Sequence, residues 1–403
     1  MKKPKSVFII LLLLISLSSC TNCYMSDGTL DVVKQKTTYK SFSQLNQPIV
    51  ISIPQYENFY LFGNKNNKSK SERIGDMFVI IDIESNEIYD WVFYPGKHGW
   101  SVWRLIEAGA DDNLKYLFSS PGTKSVAIVD PNKTSVETIY TGINDNMGLY
   151  RCYDYKVPQC YINSNNYITD IIDVESSKIA KKEYVVSFKN PLSILDMRSS
   201  PNGDLWFLND KDNYFYLNKI SKEDETLECG LISFESKNER SKNFNEGNAS
   251  EFFAVRYVTE DNVFIACHPW GVNMYGNWVY VYNINDKTVR EISLENGEYS
   301  QFLYDIQETN GNYYAILPNT IDSGVPREVN IYKLDIENFT STKEISIPFD
   351  MTDNTYVRGS RIYFMNSRSL SHPSYTYYDT ETKSQGPVYS ISDSEIIKEY
   401  LGE

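Results

Sequence analysis

Phe78-Val79-Ile80-Ile81-Asp82 decides the fold, because the pattern comes back. Four β-branched or aromatic residues in a row, closed by a residue that favours turns, describe a strand buried on both faces running into a bend. Working outward, the same reading fits Val126-Ala127-Ile128-Val129-Asp130, Thr169-Asp170-Ile171-Ile172-Asp173, Phe215-Tyr216-Leu217-Asn218, Tyr280-Val281-Tyr282-Asn283, Asn330-Ile331-Tyr332-Lys333 and Thr376-Tyr377-Tyr378-Asp379. Most intervals between the closing residues come to roughly 45 residues, the span of one four-stranded repeat. The interval from Asn218 to Asn283 is longer, and the polar segment Glu235 to Glu251 within it reads as an inserted loop.

A second aromatic strand precedes each copy, for example Tyr116-Leu117-Phe118, Leu205-Trp206-Phe207, Val263-Phe264-Ile265 and Ile362-Tyr363-Phe364, with Tyr60-Leu61-Phe62 expected in the first. Before that lies a further apolar stretch, such as Val102-Trp103-Arg104-Leu105. Four strands per unit predicts an all-β chain folded as a β-propeller of seven blades over residues 47–391. Six or eight blades, a β-helix or two β-sandwiches are the alternatives left open. The Asp-turn-strand pattern resembles the broad group of YVTN and WD40-like bacterial propellers, and Ser200-Pro201-Asn202-Gly203 resembles the turn of TolB-like propellers. The chain departs from WD40 in lacking Trp-Asp endings and from kelch in lacking the double glycine. Ser392 with Glu395, followed by Ile396, Ile397, Tyr400 and Leu401, predicts a capped C-terminal helix over 392–403.

The first five residues carry three lysines, Val7 to Ile15 is unbroken apolar sequence, and Leu17-Ser18-Ser19-Cys20 follows. That is the form of a signal peptide over residues 1–19. Its closing tetrapeptide resembles the lipobox of bacterial lipoproteins, which implies acylation of Cys20 and a lipid anchor. Residues 20–46 then form a flexible tether, and the expected address is the bacterial cell envelope. Because Thr21 is not Asp, the resemblance points to the outer membrane or the periplasmic face. The 403-residue chain has a net charge of −14, so neither nucleic acid nor anionic lipid is an expected partner for its surface. In an oxidising compartment Cys152 and Cys160, flanking the turn at Pro158, are a candidate disulfide, while Cys229 and Cys267 are expected as buried thiols.

Propeller geometry sends the connections from fourth to first strand, and from second to third, to one end of the disc. His98 with Trp100, His268 with Trp270, and His372 all fall in that set. No His or Cys spacing supplies two metal ligands locally, so no metal or cofactor is expected. Arginine is scarce, with eleven in the chain, yet Arg104, Arg151, Arg198 and Arg256 fall at similar places in four successive innermost strands, with Asp305 at that place in the next. Forked guanidinium donors lining a channel suit a carboxylate, sulfate or phosphate. The same arginines read equally as ties between blades, paired with Glu107, Asp154, Asp196 or Asp305. The functional expectation is an envelope-anchored binding or scaffold module for a protein or acidic glycan. The alternative is a carbohydrate-active enzyme, a glycoside hydrolase or lyase, on the same scaffold.

Overall fold

A computed structural model of the chain describes residues 48–57, 72–83, 87–95, 105–108, 115–120, 125–130, 135–141, 151–153, 159–164, 167–173, 178–185, 197–211, 214–224, 226–235, 250–270, 278–294, 305–318, 327–351, 355–366 and 374–390. The expected signal peptide, Cys20, the tether and the C-terminal helix lie outside the described residues, as do His98, Trp100, Arg104 and His372. What is described is all-β, in seven antiparallel sheets. Sheet one holds β1 (Pro48–Glu57), β2 (Glu72–Asp82) and β3 (Glu87–Pro95). Sheet two holds β4 (Leu105–Ala108), β5 (Lys115–Ser120), β6 (Ser125–Asp130) and β7 (Ser135–Thr141). Sheet three holds β8 (Arg151–Tyr153), β9 (Gln159–Ser164), β10 (Tyr167–Asp173) and β11 (Lys178–Val185). Sheet four holds β12 (Met197–Ser199), β13 (Leu205–Lys211), β14 (Tyr214–Ile220) and β15 (Leu227–Glu235). Sheet five holds β16 (Ser250–Val258), β17 (Asn262–Trp270), β18 (Trp278–Asn283) and β19 (Val289–Ser293). Sheet six holds β20 (Asp305–Thr309), β21 (Asn312–Pro318), β22 (Val329–Asp335) and β23 (Thr340–Ile347). Sheet seven holds β24 (Thr355–Arg358), β25 (Arg361–Asn366) and β26 (Ser374–Asp379), with β27 (Ser384–Gln385) and β28 (Tyr389–Ser390) both paired to β26.

The unbroken apolar runs follow from packing on both faces of each sheet. Along Val263-Phe264-Ile265-Ala266, side chains alternate between faces. Val263 and Ile265 pack with Trp206, Leu208 and Leu217 of sheet four, while Phe264 and Ala266 pack with Ile306, Ala315 and Leu317 of sheet six. Ile316 and Ile331 in turn meet Ile362, Phe364 and Tyr378 of sheet seven. Each fully buried aliphatic or aromatic side chain contributes about 1.5–3 kcal/mol, and a strand that serves two interfaces has no polar face to spare.

The closing Asp or Asn of the repeat enters the hairpin between third and fourth strands. Asn283 Oδ1 accepts from the backbone N–H of Asn285 at 2.9 Å and of Asp286 at 3.0 Å. Asp379 Oδ1 accepts from Glu381 at 3.1 Å and Thr382 at 3.2 Å. Two copies differ from expectation. In sheet six the turn former is Asp335, two residues beyond Lys333, accepting from Glu337 and Asn338, each at 3.0 Å. In sheet four the register shifts between Leu217 and Lys219, Asn218 accepts from Gly230 N–H at 3.0 Å, and Ser221 opens the turn instead. First-to-second strand turns lie at the same end, and that of sheet six has two residues. Asn310 and Gly311 both adopt positive φ, 51° and 72°, the geometry of a two-residue Asn-Gly hairpin.

Sheet one departs from expectation. The partner of β2 is Pro48–Glu57, whereas Tyr60-Leu61-Phe62 lies outside the described residues. Pro48 opposite Asp82 matches Asn262 opposite Asn283 and Arg361 opposite Asp379, so β1 is a second strand. Among the described residues, sheet one therefore has no innermost strand.

Candidate functional site

The innermost strands, β4, β8, β12, β16, β20 and β24, surround the axis, and side chains join several neighbours. Arg198 Nε donates to the backbone carbonyl of Arg256 at 3.2 Å, linking β12 to β16. Tyr257 Oη on β16 lies 3.5 Å from Glu308 Oε2 on β20; burial, and then the Glu308 charge, push that phenol up. Gln307 Nε2 on β20 donates to Thr355 Oγ1 on β24 at 2.7 Å, and both donate to Asp305 Oδ2 at 2.9 Å. Tyr356 Oη on β24 then donates to Val50 O on β1 at 3.0 Å, extending the chain of links to sheet one.

Register separates the arginines that the sequence pattern groups together. Arg198 lies opposite Trp206, one residue into its second strand, and Arg256 sits at a bulge between Val255 and Tyr257, near the same level. Arg151 lies opposite Asn163, four residues into β9, and Asp305 opposite Ile316, four residues into β21. At about 3.3 Å per residue, Arg151 and Asp305 stand roughly 10 Å nearer the loop-rich end than Arg198. The inner strands differ in length and in the turns that follow them, so similar spacing in the chain yields two levels.

Arg198 and Arg256 are 7% and 1% exposed, and Arg198 Nε is occupied in a tie to a backbone carbonyl. That tie joins sheet four to sheet five. One arginine escaped the sequence reading. Arg358, half-buried at the end of β24, stacks its guanidinium 5.9 Å from the Tyr356 ring and lies 3.5 Å from Tyr116 Oη. Its signal was present in Val357-Arg358-Gly359, immediately before the second strand of its unit.

The two ends of the disc differ in chemistry. At one, short turns satisfy their own polar groups: hydrogen bonds from the Ser221 hydroxyl and then from the hydroxyl and N–H of Thr226 lower the Asp224 carboxyl below its usual range, and those from the hydroxyl and N–H of Thr288 lower Asp286. At the other end β17 finishes on His268, Pro269 and Trp270, with His268 opposite Phe252 and Trp270 opposite Ser250. Arg151, the first residue of β8, begins at that same end. Cys152 lies opposite Ile162 and Cys160 opposite Ile172, so the two cysteines are offset diagonally across the β8–β9 hairpin. Cys229 is exposed, contrary to expectation, because it sits on the outermost strand of its sheet.

No family model and no curated protein sequence matches the chain. Solved structures do. A candidate 6-phosphogluconolactonase from Bacteroides fragilis is 14% identical, with a TM-score of 0.50 over 88% of this chain and 96% of that one. One from Bacteroides uniformis is 11% identical, with a TM-score of 0.50 over 85% and 95%. TolB from Acinetobacter baumannii is 10% identical, with a TM-score of 0.41 over 84% and 81%. At such identities the likeness is one of fold, and the fold of this chain is a β-propeller.

Proposed function

We propose that the chain is a cell-envelope lipoprotein whose propeller, with the seven described sheets as its full set of blades, captures an anionic ligand at the loop-rich mouth of its channel. The observation that carries this reading is the contrast between the ends. The tight-turn end spends its polar side chains on its own turns, whereas the loop-rich end gathers the finish of β17 and the start of β8. Arg151 contacts the anion, His268 and Trp270 contribute from sheet five, and His98, Trp100 and Arg104 belong to the same end by their place in the chain. Aromatic and guanidinium groups together suit an acidic glycan or an acidic segment of a protein. Arg198 and Arg256 serve the scaffold. Cys20 carries the lipid, and the acidic body is held at the bilayer by acyl chains rather than by charge.

Affinity electrophoresis of the chain lacking residues 1–20 through gels containing polygalacturonate or neutral dextran tests the ligand. Retardation by the acidic polymer alone is expected, weakened several-fold in Arg151→Gln with unchanged thermal stability. Equal mobility in both gels overturns the assignment. For the anchor, Cys20→Ala should abolish palmitate labelling and move the protein to the soluble fraction; continued labelling overturns it.

A further inference from the structure

Strand pairing places the sheets on a common scale along the axis. Gln159 opposite Asp173, Asn262 opposite Asn283 and Arg361 opposite Asp379 mark one level at the tight-turn end, and in sheet six Tyr313 opposite Leu334 stands one step above it. Counted from that level, Arg151 meets the fourth residue on, Asn163, and Asp305 likewise meets Ile316, the fourth beyond Asn312. Thr355 of sheet seven stands one step lower, opposite Phe364. A cation on sheet three and a carboxylate on sheet six therefore share one level toward the loop-rich mouth.

The carboxylate is held by neutral groups. Asp305 Oδ1 accepts from Ile306 N–H at 2.9 Å, and Oδ2 accepts from Gln307 Nε2 and Thr355 Oγ1, each at 2.9 Å. Gln307 Nε2 also donates to Thr355 Oγ1 at 2.7 Å, so carboxylate, amide and hydroxyl form a closed triangle between sheets six and seven. Both amide hydrogens of Gln307 and the hydroxyl hydrogen of Thr355 are used inside it, and the oxygens of Asp305 and Gln307 can only accept. Thr355 is buried while Asp305 and Gln307 are half-buried, so water still reaches the acid and the amide. Sheet five rises above this level. β17 pairs with β18 through Ala266 and with β16 through Trp270, which carries His268 and Trp270 two and four residues past the level of Asp305, about 7 and 13 Å. Both have the parity of Phe264 and Ala266, whose side chains pack on sheet six, and Phe252 pairs with His268.

Resting on the reading of this mouth as an anion site, we infer that its ligand is a polyuronate glycan and that Asp305 turns an acidic peptide away. A run of Asp or Glu bears a carboxylate on every side chain, and what it gains at Arg151 it loses to repulsion at Asp305. Each ring of a polyuronate bears one carboxylate, which suits a guanidinium, and hydroxyls, which donate to the acceptor oxygens of Asp305 and Gln307. The C–H face of a sugar ring suits an aromatic residue such as Trp270. Cation and acid at one level then recognise different groups of the same sugar chain.

Calorimetric titration of the full-length chain in detergent tests it, with a galacturonate oligomer and with an end-blocked glutamate peptide carrying the same number of carboxylates. The oligomer should bind about tenfold tighter than the peptide. Asp305→Asn, which keeps the size and removes the charge, should weaken the oligomer by about three- to tenfold and strengthen the peptide. Damage to the wall would weaken both, so the opposite signs belong to recognition. Equal affinities, tighter binding of the peptide, or parallel losses in Asp305→Asn would overturn the glycan assignment and leave the anion site standing. Failure of both ligands to bind would overturn the anion site, and the assignment with it. The wild-type comparison decides the matter even if the variant folds poorly.

Discussion

Sheet five and the seam between sheets seven and one solve the same packing problem with different chemistry. Around sheet five, Phe264, Ala266, Val279 and Val281 meet Ile306, Ala315 and Leu317 in a continuous apolar layer, and the chain runs through on both sides. Between sheets seven and one, among the described residues, Tyr356 donates its hydroxyl to Val50 O and meets Tyr116 of sheet two edge-on, and Tyr363, Tyr375 and Tyr377 lie within sheet seven. An aliphatic layer is non-directional and tolerates little loss of volume; a tyrosine seam is directional and separable, because water can replace each of its hydrogen bonds. One kind of interface depends on volume, and the other on the direction of single hydrogen bonds.

The contrast can be broken most forcefully from the aliphatic side. Phe264→Ala empties space between sheets five and six and should cost about 3–5 kcal/mol in urea denaturation; a loss under 1 kcal/mol would remove the distinction drawn between the regions. Next in size, Asp379→Ala takes from sheet seven both its turn and the partner of Arg361 Nε at 3.2 Å, for an expected loss of about 1–2 kcal/mol. The pH response of that carboxyl has a definite sign. Burial works against its charged form, but hydrogen bonds from Thr382, Arg361 and Glu381 outweigh it and hold the group below its ordinary value. Its stabilisation is therefore complete above about pH 4 and lost as the pH falls through the lowered value, so Asp379→Asn should flatten part of the acid limb of the stability curve. Arg198→Gln should be the mildest, loosening sheets four and five by about 1 kcal/mol while polygalacturonate binding is retained; binding lost at unchanged melting temperature would return Arg198 to the ligand.

The repeat is legible because the propeller asks the same thing of each third strand: two buried faces, then a carboxylate or amide to open a turn. Phe78 to Asp82 and Thr376 to Asp379 satisfy that demand without help from distant residues. Sheet six is misread by two residues because Lys333 ends the apolar run before Asp335 ends the strand, and composition alone does not see hydrogen bonds. The identity of the second strand of sheet one was equally hidden. Tyr60-Leu61-Phe62 has better strand chemistry than Pro48-Ile49-Val50, and only the pairing of Pro48 with Asp82 reveals which segment was taken. The arginine pattern was half legible. That cations recur on the inner strands could be counted, but their division into two levels depends on turn lengths, and their burial on neighbours far off in the chain.

The prolines of β1 bear on association. A bare strand margin invites a neighbouring molecule to zip onto it, and at high local concentration such zipping grows into dimers and fibres. With Pro48 and Pro54 lacking N–H and the Val50 carbonyl occupied, the margin offers a second chain an interrupted row of partners.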